Sequence, residues 1–141
     1  MKILIHTFGS RGDTQPYLAL AVGLQQAGHR VTLATSHTSA AWIQSYGVNA
    51  YPVRFDLQAA LQKSGLPALM KSRNVIRQMR VMFDVFSVGI LESLDDFWQA
   101  AQDADFVVQT FGGLGGVEVA SQRGLPIAFA YLMPIAPTRA F

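Results

Sequence analysis

The turn at residues 9–16, Gly-Ser-Arg-Gly-Asp-Thr-Gln-Pro, constrains the fold more than any other feature of this sequence. It follows a short apolar run at residues 3–5 and precedes a helical pattern. A loop in that position lies at the carboxyl end of the first strand, where open α/β sheets bind their ligands. Asp13 supplies the one carboxylate of the loop. The segment is therefore predicted to be a site rather than a plain connection.

Strand and helix patterns alternate along the chain. Strands are predicted at residues 2–6, 30–35, 48–53, 105–110 and 126–131, and helices at residues 16–27, 38–46 and 117–123. Pro16 suits the first turn of the first helix, with Asp13 or Thr14 as its cap. Pro52 places the third strand near a sheet edge or a strand end. The alternation predicts an α/β fold with a five-stranded, Rossmann-like parallel sheet and helices on both faces.

Residues 56–102 break the alternation, because they contain helical patterns and no convincing strand. The clearest helix carries an apolar stripe at steps of three and four residues: Ile76, Met79, Phe83, Phe86, Ile90, Leu94 and Phe97. Core packing is the simpler interpretation of the stripe, and an apolar acceptor pocket formed by Met79, Met82, Phe83 and Phe86 is the alternative. Three cationic residues lie beside the stripe, namely Arg73, Arg77 and Arg80. They form either a solvated helix face or a contact with an anionic membrane.

Composition narrows the function classes. A net charge of +2 gives no reason to expect nucleic-acid binding. The sequence has no cysteine, which excludes disulfides and thiolate metal sites and fits a cytoplasmic protein. The three histidines have no metal-ligand spacing, so no metal is expected. The glycine-containing segments fit neither a P-loop nor a dinucleotide-binding motif.

Residues 9–16, together with residues 18–20 and 27–31, resemble the N-terminal domain of glycosyltransferase family 28. Within that family the sequence is most similar to sterol glucosyltransferases and glycopeptide-antibiotic glycosyltransferases. Residues 104–108, 124–126 and 133–138 extend the resemblance over nearly the whole chain. In the last of these segments, Ile135 and Ala136 stand where the family usually has Trp and Thr. Contacts that this loop makes with the acceptor in the family are therefore expected to differ in this sequence.

The resemblance implies that residues 1–141 form the acceptor-binding half of a two-domain GT-B enzyme, without its C-terminal donor-binding domain. It implies an inverting, metal-independent hexosyltransferase that uses a nucleotide-sugar, of the UDP-glucose type, as co-substrate and needs no cofactor. The acceptor would be a hydroxyl of a lipid, a sterol or another apolar molecule. We expect a cytoplasmic enzyme that is peripheral at the membrane where the arginines contact lipid. We also expect residues 1–141 to be inactive on their own. A non-catalytic α/β binding module is the alternative.

Asp13 matches the acidic residue of the family motif, which makes it the candidate general base. A carboxylate at a helix start is also a common cap, and this role remains the alternative. Four neighbours are candidates for substrate binding, with turn and cap chemistry as the alternative: Ser10, Arg11, Gly12 and Thr14.

A second glycine-rich loop follows the fourth strand. Its backbone N–H groups are candidates for contacts with an anion or a sugar, and the residues concerned are Gly112, Gly113, Gly115 and Gly116. The alternative is a tight turn with close helix packing. His6, at the end of the first strand, is the next residue to test as a base, although a packed histidine is the simpler interpretation.

Overall fold

The computed structural model describes residues 1–65, 74–110 and 115–133, with every side chain except that of Ile90. Five strands and five α-helices occupy these residues. In chain order they are β1 Lys2–His6, α1 Arg11–Gln26, β2 Arg30–Ser36, α2 Ala40–Gln44, β3 Asn49–Val53, α3 Leu57–Lys63, α4 Val75–Ala100, β4 Phe106–Thr110, α5 Gly116–Arg123 and β5 Ile127–Ala130. Short 3-10 turns precede α2 and follow α4, at His37–Ser39 and Ala101–Asp103.

The strands form one sheet in the order β3-β2-β1-β4-β5, and every pair is parallel. This confirms the predicted five-stranded parallel sheet, and it places β3 with Pro52 at an edge. The chain moves outward from β1 to β2 and β3, then returns to β4 on the other side of β1. The carboxyl ends of β1 and β4 therefore flank the crevice where such sheets bind ligands.

Apolar side chains alternate between the two faces of the sheet, as the strand period requires. Ile3 and Ile5 of β1 pack in the cluster that includes Leu18 of α1 and Ile43 of α2. Leu4 points the other way, into the cluster formed with residues of α4 and α5. The helices therefore cover both faces, as predicted.

Helix α4 differs from the prediction of a continuous core stripe. One face of its C-terminal half is buried around Phe97, but Ile76, Met79 and Phe83 are 83%, 68% and 73% exposed. A helix of 26 residues is about 40 Å long, whereas the strands, of 4–7 residues, are only about 13–23 Å long. Its N-terminal half therefore extends past the layer that it covers, and core packing was the wrong interpretation for these three side chains.

No helix in the part of the chain described combines the length and apolar content needed to cross a bilayer.

Candidate functional site

Helix α1 begins at Arg11, with Ser10 as its N-cap, so part of the glycine-containing turn is helical. The prediction of a start near Pro16 capped by Asp13 or Thr14 was wrong, since Pro16 lies inside the helix. Asp13 is the third helical residue, and its carboxylate accepts a hydrogen bond from the Ser10 backbone N–H at 2.8 Å. A side chain that reaches back to the N-cap in this way stabilises the first turn, which is why the helix starts earlier.

The Asp13 carboxylate is exposed, and its two oxygens have different environments. Oδ2 accepts hydrogen bonds from the Ser10 backbone N–H at 2.8 Å and from the Ser10 hydroxyl at 2.9 Å. Oδ1 has no hydrogen-bond partner among the residues described. Gly9 has a φ of +117°, and a Cβ at that position would collide with the carboxylate. The loop thus holds one oxygen and leaves the other available to a ligand.

The other residues of this loop that were predicted to bind substrate differ in how far they are buried. The Arg11 guanidinium stacks over the Trp42 ring of α2, 4.7 Å from its centroid. Gly12 is exposed, and its carbonyl lacks the usual helical donor because Pro16 has no N–H. Thr14 is fully buried against the sheet, so its hydroxyl reaches a substrate only if the first turn of α1 moves. The binding roles of these residues stay predictions.

Tyr17, one turn after Asp13, connects α1 to β5, the edge strand next to β4. Its buried side chain donates a hydrogen bond through the hydroxyl to the Ala130 carbonyl of β5, at 2.8 Å. Burial raises the Tyr17 pKa, and the nearby negative charge of Asp13 raises it further. Tyr17 is therefore neutral near pH 7 and anchors the helical turn that carries Asp13. The sequence analysis missed this role because the two partners are 113 residues apart.

A row of buried threonines lies at the carboxyl edge of the sheet beneath the first turns of α1. Thr7, Thr35 and Thr110 come from the ends of β1, β2 and β4, and by strand alternation they face the α1 side with Ile5, Leu33 and Val108. Within the described segments, the hydroxyls of Thr7, Thr14 and Thr35 have no hydrogen-bond partner, whereas the Thr110 side chain interacts with the Tyr17 hydroxyl. The sequence feature that could have predicted this row is a threonine at or next to the C-terminal end of each of three apolar strands.

The opposite face of the same edge carries His6 and Gln109 below the start of α5. The His6 ring is fully buried and stacks on Phe97, with 4.0 Å between ring centroids. Burial lowers the His6 pKa to about 3, so the imidazole is neutral near pH 7. This agrees with the packed histidine that was the simpler interpretation, and it places His6 in the interior rather than on the crevice surface.

Gly116 is the first residue of α5, and its backbone packs directly on this pair. A Cβ there would collide with the Gln109 amide and the His6 imidazole. Gly115 precedes it with a φ of +89°, which favours glycine. Gly112 and Gly113 lie outside the described residues. Close helix packing therefore accounts for Gly116, and the contacts of this loop with a ligand stay a prediction.

The exposed half of α4 forms an apolar surface next to cationic side chains. A groove there is lined by Gln78, Met79, Met82, Phe83 and Phe86. Arg77 and Arg80 are exposed beside it, and Arg73 lies outside the described residues. Within residues 1–65, 74–110 and 115–133, no cluster of three or more histidine, aspartate and glutamate side chains is suited to hold a metal ion.

Comparison with known sequences identifies the domain. Residues 3–141 match the Glycosyltransferase family 28 N-terminal domain. The sterol 3-beta-glucosyltransferase of Komagataella phaffii is 32% identical over 99% of this chain, and that of Aspergillus terreus is 31% identical over 100% of it. The chain spans only 11% and 10% of the length of these two relatives.

Solved structures show the same fold. A calicheamicin glycosyltransferase superposes on 99% of this chain and 34% of its own, with a TM-score of 0.73 at 20% identity. A glycosyltransferase of Streptomyces sp. SF2575 superposes on 97% of this chain and 41% of its own, with a TM-score of 0.74 at 22% identity. The five-stranded parallel sheet is thus that of one domain of a GT-B glycosyltransferase. This chain belongs to glycosyltransferase family 28, whose N-terminal domain it contains.

Proposed function

We propose that this domain is the acceptor-binding half of an inverting hexosyltransferase in which Asp13 is the general base. The observation that carries the proposal is the exposed Asp13 carboxylate at the ligand-binding edge of the sheet, with Oδ2 held by Ser10 and Oδ1 without a hydrogen-bond partner among the described residues. The family assignment supports the class of reaction. The sequence similarity to sterol 3-beta-glucosyltransferases supports an apolar, hydroxyl-bearing acceptor.

In the proposed reaction, Asp13 Oδ1 removes the proton of the acceptor hydroxyl. The acceptor oxygen forms a bond to the anomeric carbon while the bond from that carbon to the nucleotide diphosphate breaks on the opposite face. The configuration at the anomeric carbon is therefore inverted. A positioned carboxylate typically accelerates such a proton transfer by ~10²–10⁴-fold. Neither a metal ion nor a cofactor takes part in this scheme.

The donor in this proposal is a nucleotide-sugar of the UDP-glucose type, a co-substrate held mainly by a C-terminal donor-binding domain. This chain spans only 11% of the length of one such relative, which supports the need for a further domain. A structural neighbour from Streptomyces sp. SF2575 was solved with thymidine diphosphate bound. We expect the isolated 141 residues to be inactive, because half of a two-domain cleft lacks most donor contacts.

The apolar groove on α4 is the proposed acceptor side, since Met79, Met82, Phe83 and Phe86 line it. Arg77 and Arg80 lie next to exposed apolar side chains, an arrangement that suits contact with an anionic membrane supplying a lipid acceptor. In this proposal the enzyme works in the cytoplasm, peripheral to that membrane, and the cysteine-free sequence is consistent with this compartment.

The direct test is Asp13→Asn in the full-length protein, assayed with UDP-glucose and a sterol. The amide keeps the shape and accepts the Ser10 N–H bond, but it does not take up the proton. We expect the turnover number to fall by about 10²-fold or more, with donor binding nearly unchanged. Asp56→Asn is the matched control, because Asp56 caps α3 by accepting from the Ala59 N–H. Turnover of Asp13→Asn equal to wild type would remove Asp13 from the mechanism.

A further inference from the structure

Ser10 contacts one oxygen of Asp13 through both of its donors. The backbone N–H lies 2.8 Å from Oδ2, and the hydroxyl lies 2.9 Å from the same oxygen. A serine hydroxyl has a single proton to donate. Once that proton is directed at Asp13, none remains for a donor phosphate, and the Ser10 oxygen can take part in further hydrogen bonds only as an acceptor.

From this geometry we infer that Ser10 is a positioning residue for Asp13, holding Oδ2 so that Oδ1 is the oxygen presented to the acceptor. The inference rests on the proposed function of Asp13 as the base. Two donors on one oxygen restrict rotation of the carboxylate about its last side-chain bond. A proton transfer depends on such restriction, because the base must lie within hydrogen-bond reach of the proton that it removes.

Gly9 completes the arrangement from the other side. Its φ of +117° is one that glycine adopts without strain, and any Cβ there would occupy the space of the Asp13 carboxylate. The exposed carboxylate is therefore positioned by backbone geometry and by Ser10 together. In this scheme Ser10 acts on the reaction through Asp13.

The test compares Ser10→Ala, Ser10→Thr and Asp13→Asn in the full-length enzyme with UDP-glucose and cholesterol. Ser10→Ala is expected to lower kcat by about tenfold with both KM values within about twofold of wild type, since it loses a hydrogen bond to a charged group. Ser10→Thr retains the hydroxyl and is expected to restore most of kcat. Ser45→Ala is the matched control, because the Ser45 hydroxyl donates only to the Trp42 carbonyl.

The double variant S10A/D13N distinguishes action through Asp13 from direct contact with substrate. If Ser10 acts through Asp13, adding Ser10→Ala to Asp13→Asn costs no further activity. An equal loss in both backgrounds, a raised KM with unchanged kcat, or a lower melting temperature with unchanged kcat would each overturn the inference.

A crystal structure of Ser10→Ala gives a readout besides activity. We expect the Asp13 carboxylate to be rotated or spread over several orientations, and a carboxylate unmoved from its wild-type position would overturn the inference. Wild-type turnover in Asp13→Asn would instead overturn the proposed function itself. The two failures are therefore distinguishable.

Discussion

Lowering the pH from 7 to 5 is expected to destabilise this domain through one buried side chain. His6 is fully buried, stacks on Phe97, and has no hydrogen-bond partner for either ring nitrogen among the residues described. Burial lowers its pKa from 6.5 to about 3. The folded domain therefore keeps His6 neutral over a pH range in which the unfolded chain binds a proton.

The sign and size of the effect follow from this difference. Below pH 6.5 the unfolded state binds the proton and the folded state does not, so the free energy of unfolding decreases as the pH falls. The loss is about 1.4 kcal/mol per pH unit, hence ~2 kcal/mol at pH 5, and it levels off only near pH 3. Against a typical total of ~5–15 kcal/mol for a domain, this loss is readily measured.

Urea unfolding at pH 7 and pH 5, followed by circular dichroism, measures the loss. The variant His6→Leu has no imidazole at this position and is expected to lose about 2 kcal/mol less than wild type between the two pH values. His37→Gln, at an exposed residue, controls for the removal of a histidine as such. Equal losses in wild type and His6→Leu would refute the reasoning, because His6 would then be hydrated or protonated in the folded state.

Two further substitutions test the packing around the site by the same unfolding measurement. Gly116→Ala is expected to lower the free energy of unfolding by ~1–3 kcal/mol, because its Cβ collides with His6 and Gln109. Gly23→Ala in α1 is the control: its Cβ meets no neighbour, so the substitution should raise the stability of the domain. Wild-type stability in Gly116→Ala would contradict the close packing of α5 on these two side chains. Asp96→Ala is expected to cost ~1–3 kcal/mol because it removes the acceptor of the Arg54 backbone N–H, 2.8 Å away. Asp95→Ala, with a side chain 90% exposed, is the control that should change stability little.

The sheet was predictable because its strands are apolar runs ended by recognisable turns. Gly28 and Gly124 follow the first and last helices with positive φ, so their positions in the sequence marked real helix ends. The start of α1 was harder to place. Pro16 suggested a first turn, whereas the Ser10–Asp13 spacing of three residues was the more informative signal, because it is the spacing at which a carboxylate reaches the N-cap.

Helix α4 shows where periodicity stops being informative. A three- and four-residue repeat of apolar residues has the same form whether the stripe packs in a core or faces outward. Phe97 and Phe83 belong to one stripe, yet the first is fully buried and the second is 73% exposed. What separates them is the length of the helix relative to the sheet, and this depends on tertiary structure.

The buried residues beneath the Asp13 loop are brought together by contacts that sequence spacing does not encode. Tyr17 reaches Ala130 only because β5 lies beside β4 in the sheet. Thr7, Thr35 and Thr110 become neighbours only because β2, β1 and β4 are adjacent and in register. Knowledge of the strand order would have been enough to place these residues together, since a parallel sheet brings its carboxyl ends to one edge.

The geometry of Asp13 changes how its two candidate roles relate. As a cap, the Asp13 carboxylate accepts hydrogen bonds from Ser10, and as a base it would accept the proton of the acceptor hydroxyl. In the structure the capping contacts all fall on Oδ2, while Oδ1 has no partner in the part of the chain described. The capping contacts can therefore orient the carboxylate and leave Oδ1 to face the acceptor. Asp13→Asn separates the roles, because an amide oxygen still accepts from the Ser10 N–H and preserves most stability, whereas the variant has no carboxylate to receive a proton.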